Sequence, residues 1–142
     1  MKKNTPKVFL DSNIWFSLIY GSENCSKIIT AHIEKRIAGI ISSQVLEESI
    51  RNIVKKIPTK LATFESLISA NPPKVVSSSQ TIGPRIQSLV SPEDQPIFSS
   101  ALDAEVDYFI TGNIKDFKRD KLEKLTKIKV LTPAEAVKVF KL

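Results

Sequence analysis

An α/β sandwich around a mainly parallel sheet is the fold class this sequence predicts, and three observations predict it. Short apolar runs of strand length recur at residues 7–10, 39–41, 75–76, 108–110 and 128–131. The stretches between them carry apolar residues at helical spacing. Strand and helix therefore alternate along the chain, as parallel pairing with crossover helices requires. The 142 residues leave room for one domain with a sizeable core and too little for two ordinary ones. No repeat, low-complexity tract or linker divides them, so residues 1–142 read as a single domain.

In order, Lys7–Leu10 is a short buried strand and 12–20 begins a helix. Residues 23–37 read as a helix with Ile28, Ile29, Ile33 and Ile37 on one face, followed by a strand over 39–41. Residues 44–57 form a helix whose apolar face is Val45, Leu46, Ile50, Ile53, Val54 and Ile57. Another helix spans 58–70, and 75–76 is a third strand. Residues 77–84, Ser-Ser-Ser-Gln-Thr-Ile-Gly-Pro, form a loop between elements. A helix over 92–105, strands over 108–110 and 128–131, and a closing helix over 133–140 with proline in its first position complete the chain.

Composition narrows the chemistry. Hydrophobic residues make up 42% and charged residues 25%, the balance of a soluble globular protein. No apolar run approaches the ~20 residues needed to span a bilayer. The basic N-terminus is followed by only Val8-Phe9-Leu10 before Asp11 interrupts, which is no signal peptide, so the expected location is the cytoplasm. A single cysteine, Cys25, rules out an intrachain disulfide and a Cys-based zinc site; on a helix it reads as a small core residue before a nucleophile. A single histidine, His32, rules out RNA cleavage by paired histidines and multi-histidine metal sites. Hydrolytic chemistry here must rest on carboxylates. The 21 Lys and Arg against 15 Asp and Glu, a net +6, are compatible with a polyanionic partner.

In open α/β sheets the functional crevice lies outside the carboxyl ends of the strands. Asp11 follows the first strand directly, and it is equally a good N-cap for the next helix. Glu47 and Glu48 lie early in the helix after the second strand, where the helix dipole alone favours acids. Helical geometry does not choose between them. Ser91-Pro92-Glu93-Asp94 is a capping-box pattern, yet Asp94 also shares a stripe with Ile97, Phe98 and Ala101, which aims a carboxylate toward the sheet. A carboxylate buried there needs a charged partner or a metal. After the fourth strand, Gly112 permits a tight turn, and Thr111, Asn113 and Asp116 place oxygens at the same edge; a polar turn is the plainer explanation. Hard oxygen ligands converging without His or Cys suit Mg²⁺ or Mn²⁺.

Four runs resemble the successive motifs of PIN domains: Val8-Phe9-Leu10-Asp11-Ser12-Asn13, Ser42-Ser43-Gln44-Val45-Leu46-Glu47-Glu48, Pro92-Glu93-Asp94 with Ala101, and Phe109-Ile110-Thr111-Gly112-Asn113 with Asp116-Phe117. The tail Val130-Leu131-Thr132-Pro133-Ala134-Glu135 is similar to the family's last strand and helix start. The resemblance implies a three-layer α/β/α fold and a ribonuclease in which Asp11, Glu48, Asp94 and Asp116 hold one or two Mg²⁺ or Mn²⁺ ions that activate water for attack at phosphorus. Its register falls on Glu48, with Glu47 as runner-up. Many members carry Asp where this chain has Asn113, a metal position whose neutral amide lowers the charge of the site. Ser12, Asn13 and Thr111 are candidates for substrate contact or ligand support. Many small single-domain members are VapC-like toxins held inactive by a smaller antitoxin, so the expected partners are RNA, an antitoxin and a second copy of the chain.

Basic residues crowd the segment after Asp116 (Lys115, Lys118, Arg119, Lys121, Lys124, Lys127, Lys129), and Arg51, Lys55 and Lys56 follow Glu48. They form either a solvated helix face or a phosphate-binding rim, with Lys115 and Arg51 the substrate candidates. A dehalogenase-type phosphatase would need Asp at position 13, and a receiver domain would need Asp after the third strand; neither is present. The readings kept beside a toxin are a nuclease of RNA processing without an antitoxin, and a catalytically weak fold that binds RNA or protein.

Overall fold

Val8, Phe9 and Leu10 have no solvent-accessible surface, because their strand, β1 (Lys7–Leu10), has a neighbour on both edges. A computed structural model describes residues 5–79 and 81–142. In it β1 pairs in parallel with β2 (Ala38–Ser42) and with β4 (Tyr108–Ile110). β3 (Lys74–Val76) extends the sheet beyond β2, and β5 (Lys129–Leu131) beyond β4, giving the order β3-β2-β1-β4-β5 with every pairing parallel. The chain thus winds outward from β1 in one direction, then returns to wind outward in the other. The reversal lies between β1 and β4, and a crevice opens there at the carboxyl ends of the strands.

Helices cover both faces, as the three-layer α/β/α expectation requires. On one face Phe9 stacks on Phe109, their centroids 5.2 Å apart, and Phe98 of α6 (Gln95–Asp103) packs against Phe109 at 5.3 Å. On the other, Tyr108 meets Phe140 at the end of α8 (Pro133–Val139), which lies against α2 (Glu23–Ile33). There α1 (Ser12–Ile19) packs on α2 and on α3 (Ser43–Lys56), and Trp15 of α1 meets Phe64 of α4 (Leu61–Ala70) edge to face. Two short helices, α5 (Pro84–Gln87) and α7 (Arg119–Thr126), complete the set.

Several boundaries differ from the sequence reading. The second helix stops at Ile33, not residue 37, because Lys35 takes a left-handed φ of 62° and Arg36 donates back to the Ala31 carbonyl at 2.9 Å. Ile37 is still buried, but as the approach to β2. On α3 the buried row is Val45, Ser49 and Ile53, and Val54, assigned to the apolar face, is 49% exposed. The helices expected over 58–70 and 92–105 each open as a 3-10 turn, Pro58–Lys60 and Pro92–Asp94. Within the expected loop 77–84, Pro84 instead starts α5 at its first position, and Gln80 lies outside the described residues. The basic N-terminal Met1-Lys2-Lys3-Asn4 also lies outside them. No helix among the described residues is long and apolar enough to cross a membrane.

His32 is a clip within this frame. Its Nδ1 accepts from the Gly39 N–H at 3.2 Å, and its Nε2 donates to the Asn71 carbonyl at 3.0 Å, tying α2 to β2 and to the chain before β3. A Cβ on Gly39 would stand 2.7 Å from Nδ1, so the ring could not stay in place. Gly39→Ala is therefore expected to cost about 1–3 kcal/mol through lost hydrogen bonds and overpacking. Urea unfolding at neutral pH measures it, and an unchanged midpoint would show that the clip carries no stability.

Candidate active site

Asp11 occupies the reversal point of the sheet. Its backbone N–H donates to the Ile110 carbonyl at 3.1 Å, continuing the β1–β4 ladder past the last strand residue. Its side chain is 2% exposed and accepts three hydrogen bonds: from Ser12 N–H at 2.8 Å, from the Thr111 hydroxyl at 2.9 Å, and from the Asn13 amide at 3.4 Å. The N-cap reading therefore holds, and the same carboxylate also lines a cleft of about 310 Å³. Burial pushes its pKa up to about 6; the bonds from Ser12 and Thr111 oppose the rise, and the charges of Asp94 and Glu48 add to it.

The loop after β4 locks onto α1. Thr111 is fully buried; its hydroxyl donates to Asp11 and accepts from Asn13 at 3.2 Å and from the Asn113 N–H at 3.1 Å. The Gly112 N–H donates to the Asn13 Oδ1 at 2.8 Å, so Gly112 serves through its amide, and its φ is not left-handed. Asn113 is exposed at the cleft, and its side chain makes no capping bond to the 3-10 turn Ile114–Asp116.

The packing of α3 on α1 separates Glu48 from Glu47. Glu48 is half-buried at the cleft, accepting from the Ser12 hydroxyl and the Gln44 amide, both at 3.2 Å. Glu47 is exposed and does not line the cleft.

Asp94 also reaches the cleft, but not through a capping box. The Asp94 N–H that the Ser91 hydroxyl would cap is already bonded to the Ser91 carbonyl at 3.0 Å in the 3-10 turn. The Ser91 hydroxyl donates instead to the Asp94 carboxylate at 2.7 Å. A short antiparallel bridge between Val90 and Phe117, extended by Ser91 N–H to the Asp116 carbonyl at 3.0 Å, brings the Asp116 turn against this segment. Burial raises the Asp94 pKa; the Ser91 bond opposes that, and the neighbouring Asp116 and Glu48 carboxylates reinforce it.

Of the residues singled out from sequence, Asp11, Ser12, Asn13, Glu48, Asp94 and Asn113 line the cleft. Thr111 lies behind Asp11, and Asp116 beside Asp94. Arg51 and Lys115 are exposed and do not line it. Arg119, from the basic segment, is tied to Glu135 at 2.7 Å across α7 and α8. Lys56, one of the basic residues noted after Glu48, does line the cleft, and sequence reasoning missed three further lining residues, Phe16, Asn52 and Glu93. The signal for one of them was present, since Asn52 follows Glu48 by four residues and so shares its face.

The donor set suits a hard divalent cation: it consists of oxygens only, with one carboxylate buried and destabilised as an anion and others adding to the repulsion. Neither ion pair among the described residues, Arg36–Glu34 or Arg119–Glu135, neutralises any of these acids. The set stands open, because no three acidic, histidine or cysteine side chains among the described residues meet closely enough to enclose an ion. Closing it would require side-chain rotation by the half-buried Glu48, Asp94 and Asp116.

A family model described as PIN domain matches residues 7–115 and ends one residue short of Asp116. Among solved structures, the chain is similar to the crystal structure of VapBC2 from Rickettsia felis bound to a DNA fragment from their promoter, with a TM-score of 0.60. Sequence identity is 17%, and the match covers 89% of this chain and 98% of that one, so the likeness is one of fold. No curated protein matches the chain.

The Asp11 environment has a consequence for stability. Its folded pKa lies above the unfolded value of 3.8, so the unfolded chain ionises first as pH rises and the metal-free fold loses stability between about pH 4 and pH 6. The loss attributable to this residue is about 3 kcal/mol. Asp11→Asn is expected to remove it: the difference in unfolding free energy between variant and parent in EDTA should grow in the variant's favour across that window. A difference independent of pH would show that Asp11 is not buried as an acid.

Proposed function

The chain belongs to the PIN-domain family of nucleases, and on that premise we propose that it is a Mg²⁺- or Mn²⁺-dependent endoribonuclease, the toxin of a toxin–antitoxin pair. The observation that carries the reading is the convergence of Asp11, Glu48 and Asp94, from three separate elements, on one cleft at the switch point of the sheet, with Asp116 beside them. Similarity of fold to VapBC2, over nearly the whole of both chains, supports the toxin role. The partners proposed are an RNA substrate, a small antitoxin protein and a second copy of the chain, and the place of action is the cytoplasm. Asn113 favours a second reading, a catalytically weak binding module, because it leaves one fewer negative charge at the cleft.

Asp11, Glu48, Asp94 and Asp116, with the amide oxygen of Asn113, would hold the metal. When bound it supplies Lewis acidity and acidifies water for attack on a phosphodiester. The chain's own residues prepare the ground. Thr111 and Asn13 hold the Asp11 carboxylate in one orientation, and Ser12 does the same for Glu48. Among the described residues the Lys56 ammonium offers the only positive charge lining the cleft, where it can meet a substrate phosphate.

Asp94→Asn tests the enzyme reading. Cleavage of a single-stranded RNA in Mn²⁺ should be abolished, while metal-free stability stays unchanged or rises, since crowded carboxylates repel. Absence of cleavage by the unmutated protein would favour the binding module, cleavage retained in the variant would remove Asp94 from the catalytic set, and a loss of several kcal/mol would make Asp94 a structural partner of Ser91. Asn113→Asp tests the ligand set. It adds charge at an uncapped cleft position and should tighten Mn²⁺ binding, raising activity at limiting metal with little change at saturation. Identical metal titrations by calorimetry would remove position 113 from the set.

A further inference from the structure

Beyond the carboxylates, the cleft continues between α1 and α3, which pack side by side. Each helix gives it one row of side chains. On α3 the row is Glu48, Asn52 and Lys56, at four-residue steps of about 6 Å along the axis. On α1 it is Asn13 and Phe16, with Tyr20 one further turn on. Moving along the helices away from the acids, the lining changes to an amide and then to the Phe16 ring beside an ammonium group, with the Tyr20 ring against Phe16 just beyond.

Of those last groups Lys56 and Tyr20 are exposed, while Phe16 is packed in part against the core. Lys56 Nζ stands 5.3 Å from the centroid of the half-buried Phe16 ring, and it makes no ion pair with Glu48 or Glu93 although both line the same cleft. The Tyr20 ring lies 4.9 Å from Phe16, tilted by 59°, and Tyr20 is 60% exposed. A lysine in the last turn of a helix has a simpler use, balancing the helix dipole. That does not account for two aromatic rings continuing the row from the acids, nor for the ammonium resting on one of them. Ring faces flanked by a cation are what an unstacked nucleobase and its phosphate require.

We propose that Phe16, Tyr20 and Lys56, with Asn52, form a stacking subsite for the base of an unpaired nucleotide adjoining the scissile phosphate. A paired base keeps its faces within the duplex and cannot use the rings. The inference rests on the nuclease reading and deepens it.

The test measures binding by fluorescence anisotropy in the Asp94→Asn background, so that substrate is not consumed. The probes are a labelled single-stranded oligoribonucleotide, an abasic strand of the same length, and the corresponding duplex. The base-bearing single strand should bind tightest. Phe16→Leu should weaken it roughly fivefold or more and erase its advantage over the abasic strand, as stacking on one ring implies. Phe16→Tyr should restore that advantage. Tyr20→Leu, at an exposed position that does not threaten folding, should reduce it. Lys56→Gln should lower the slope of log affinity against log salt by about one for both strands. A parent with no preference for the base-bearing strand would overturn the subsite, as would Phe16→Leu and Tyr20→Leu variants that keep the parental preference. Failure of the nuclease reading would be seen elsewhere, as RNA left intact by the unmutated protein in Mn²⁺. Cleavage with an unaltered preference in the variants would sink the subsite alone.

Discussion

Everything at the carboxyl edge of this sheet depends on one buried carboxylate. Asp11 sits where strand order reverses, so it is covered from both halves of the sheet, and a charge there must be held by the protein's own dipoles. Three donors hold it, from α1 and from the loop after β4. They only partly offset burial, as its raised pKa shows. The fold thus tolerates a local energetic cost at its centre, and the groups that reduce that cost are those that bind the β4 loop to α1.

The other acids arrive by different physical routes. Glu48 is positioned by helix packing, because α3 turns that face toward Ser12 of α1. Asp94 and Asp116 are positioned by backbone pairing, through the bridge between Val90 and Phe117 and the bond from Ser91 to Asp116. Like charges gathered in this way repel one another, and no ion pair among the described residues neutralises them. An arrangement that costs stability without a cation would recover that cost if it held one, as the proposed metal site requires.

Charge is distributed unevenly around that site. The net +6 of the chain suits a polyanion at long range. Its surface lysines after Asp116 nevertheless do not line the cleft, and Arg119 is committed to Glu135. Among the described residues, the positive charge that lines the cleft is confined to Lys56, on the row that continues Glu48 outward. The proposed phosphate contact would therefore fall to a residue other than those that dominate the surface charge.

Much of this protein was determined by its sequence alone. Strand positions were legible because apolar runs bounded by turn residues leave little choice, and Lys7–Leu10 and Tyr108–Ile110 lie where they were expected. The Asp11 cap and the Thr132-Pro133 helix start were legible because capping is a local interaction. Tertiary structure alone put Glu48 rather than Glu47 at the cleft, put Lys56 with Asn52 there rather than Arg51, and turned Ser91 from a backbone cap into a partner of the Asp94 carboxylate. The physical reason is common to all three. Periodicity states which residues share a face, whereas what that face meets, and so which polar group is satisfied by whom, is set by segments distant in the chain.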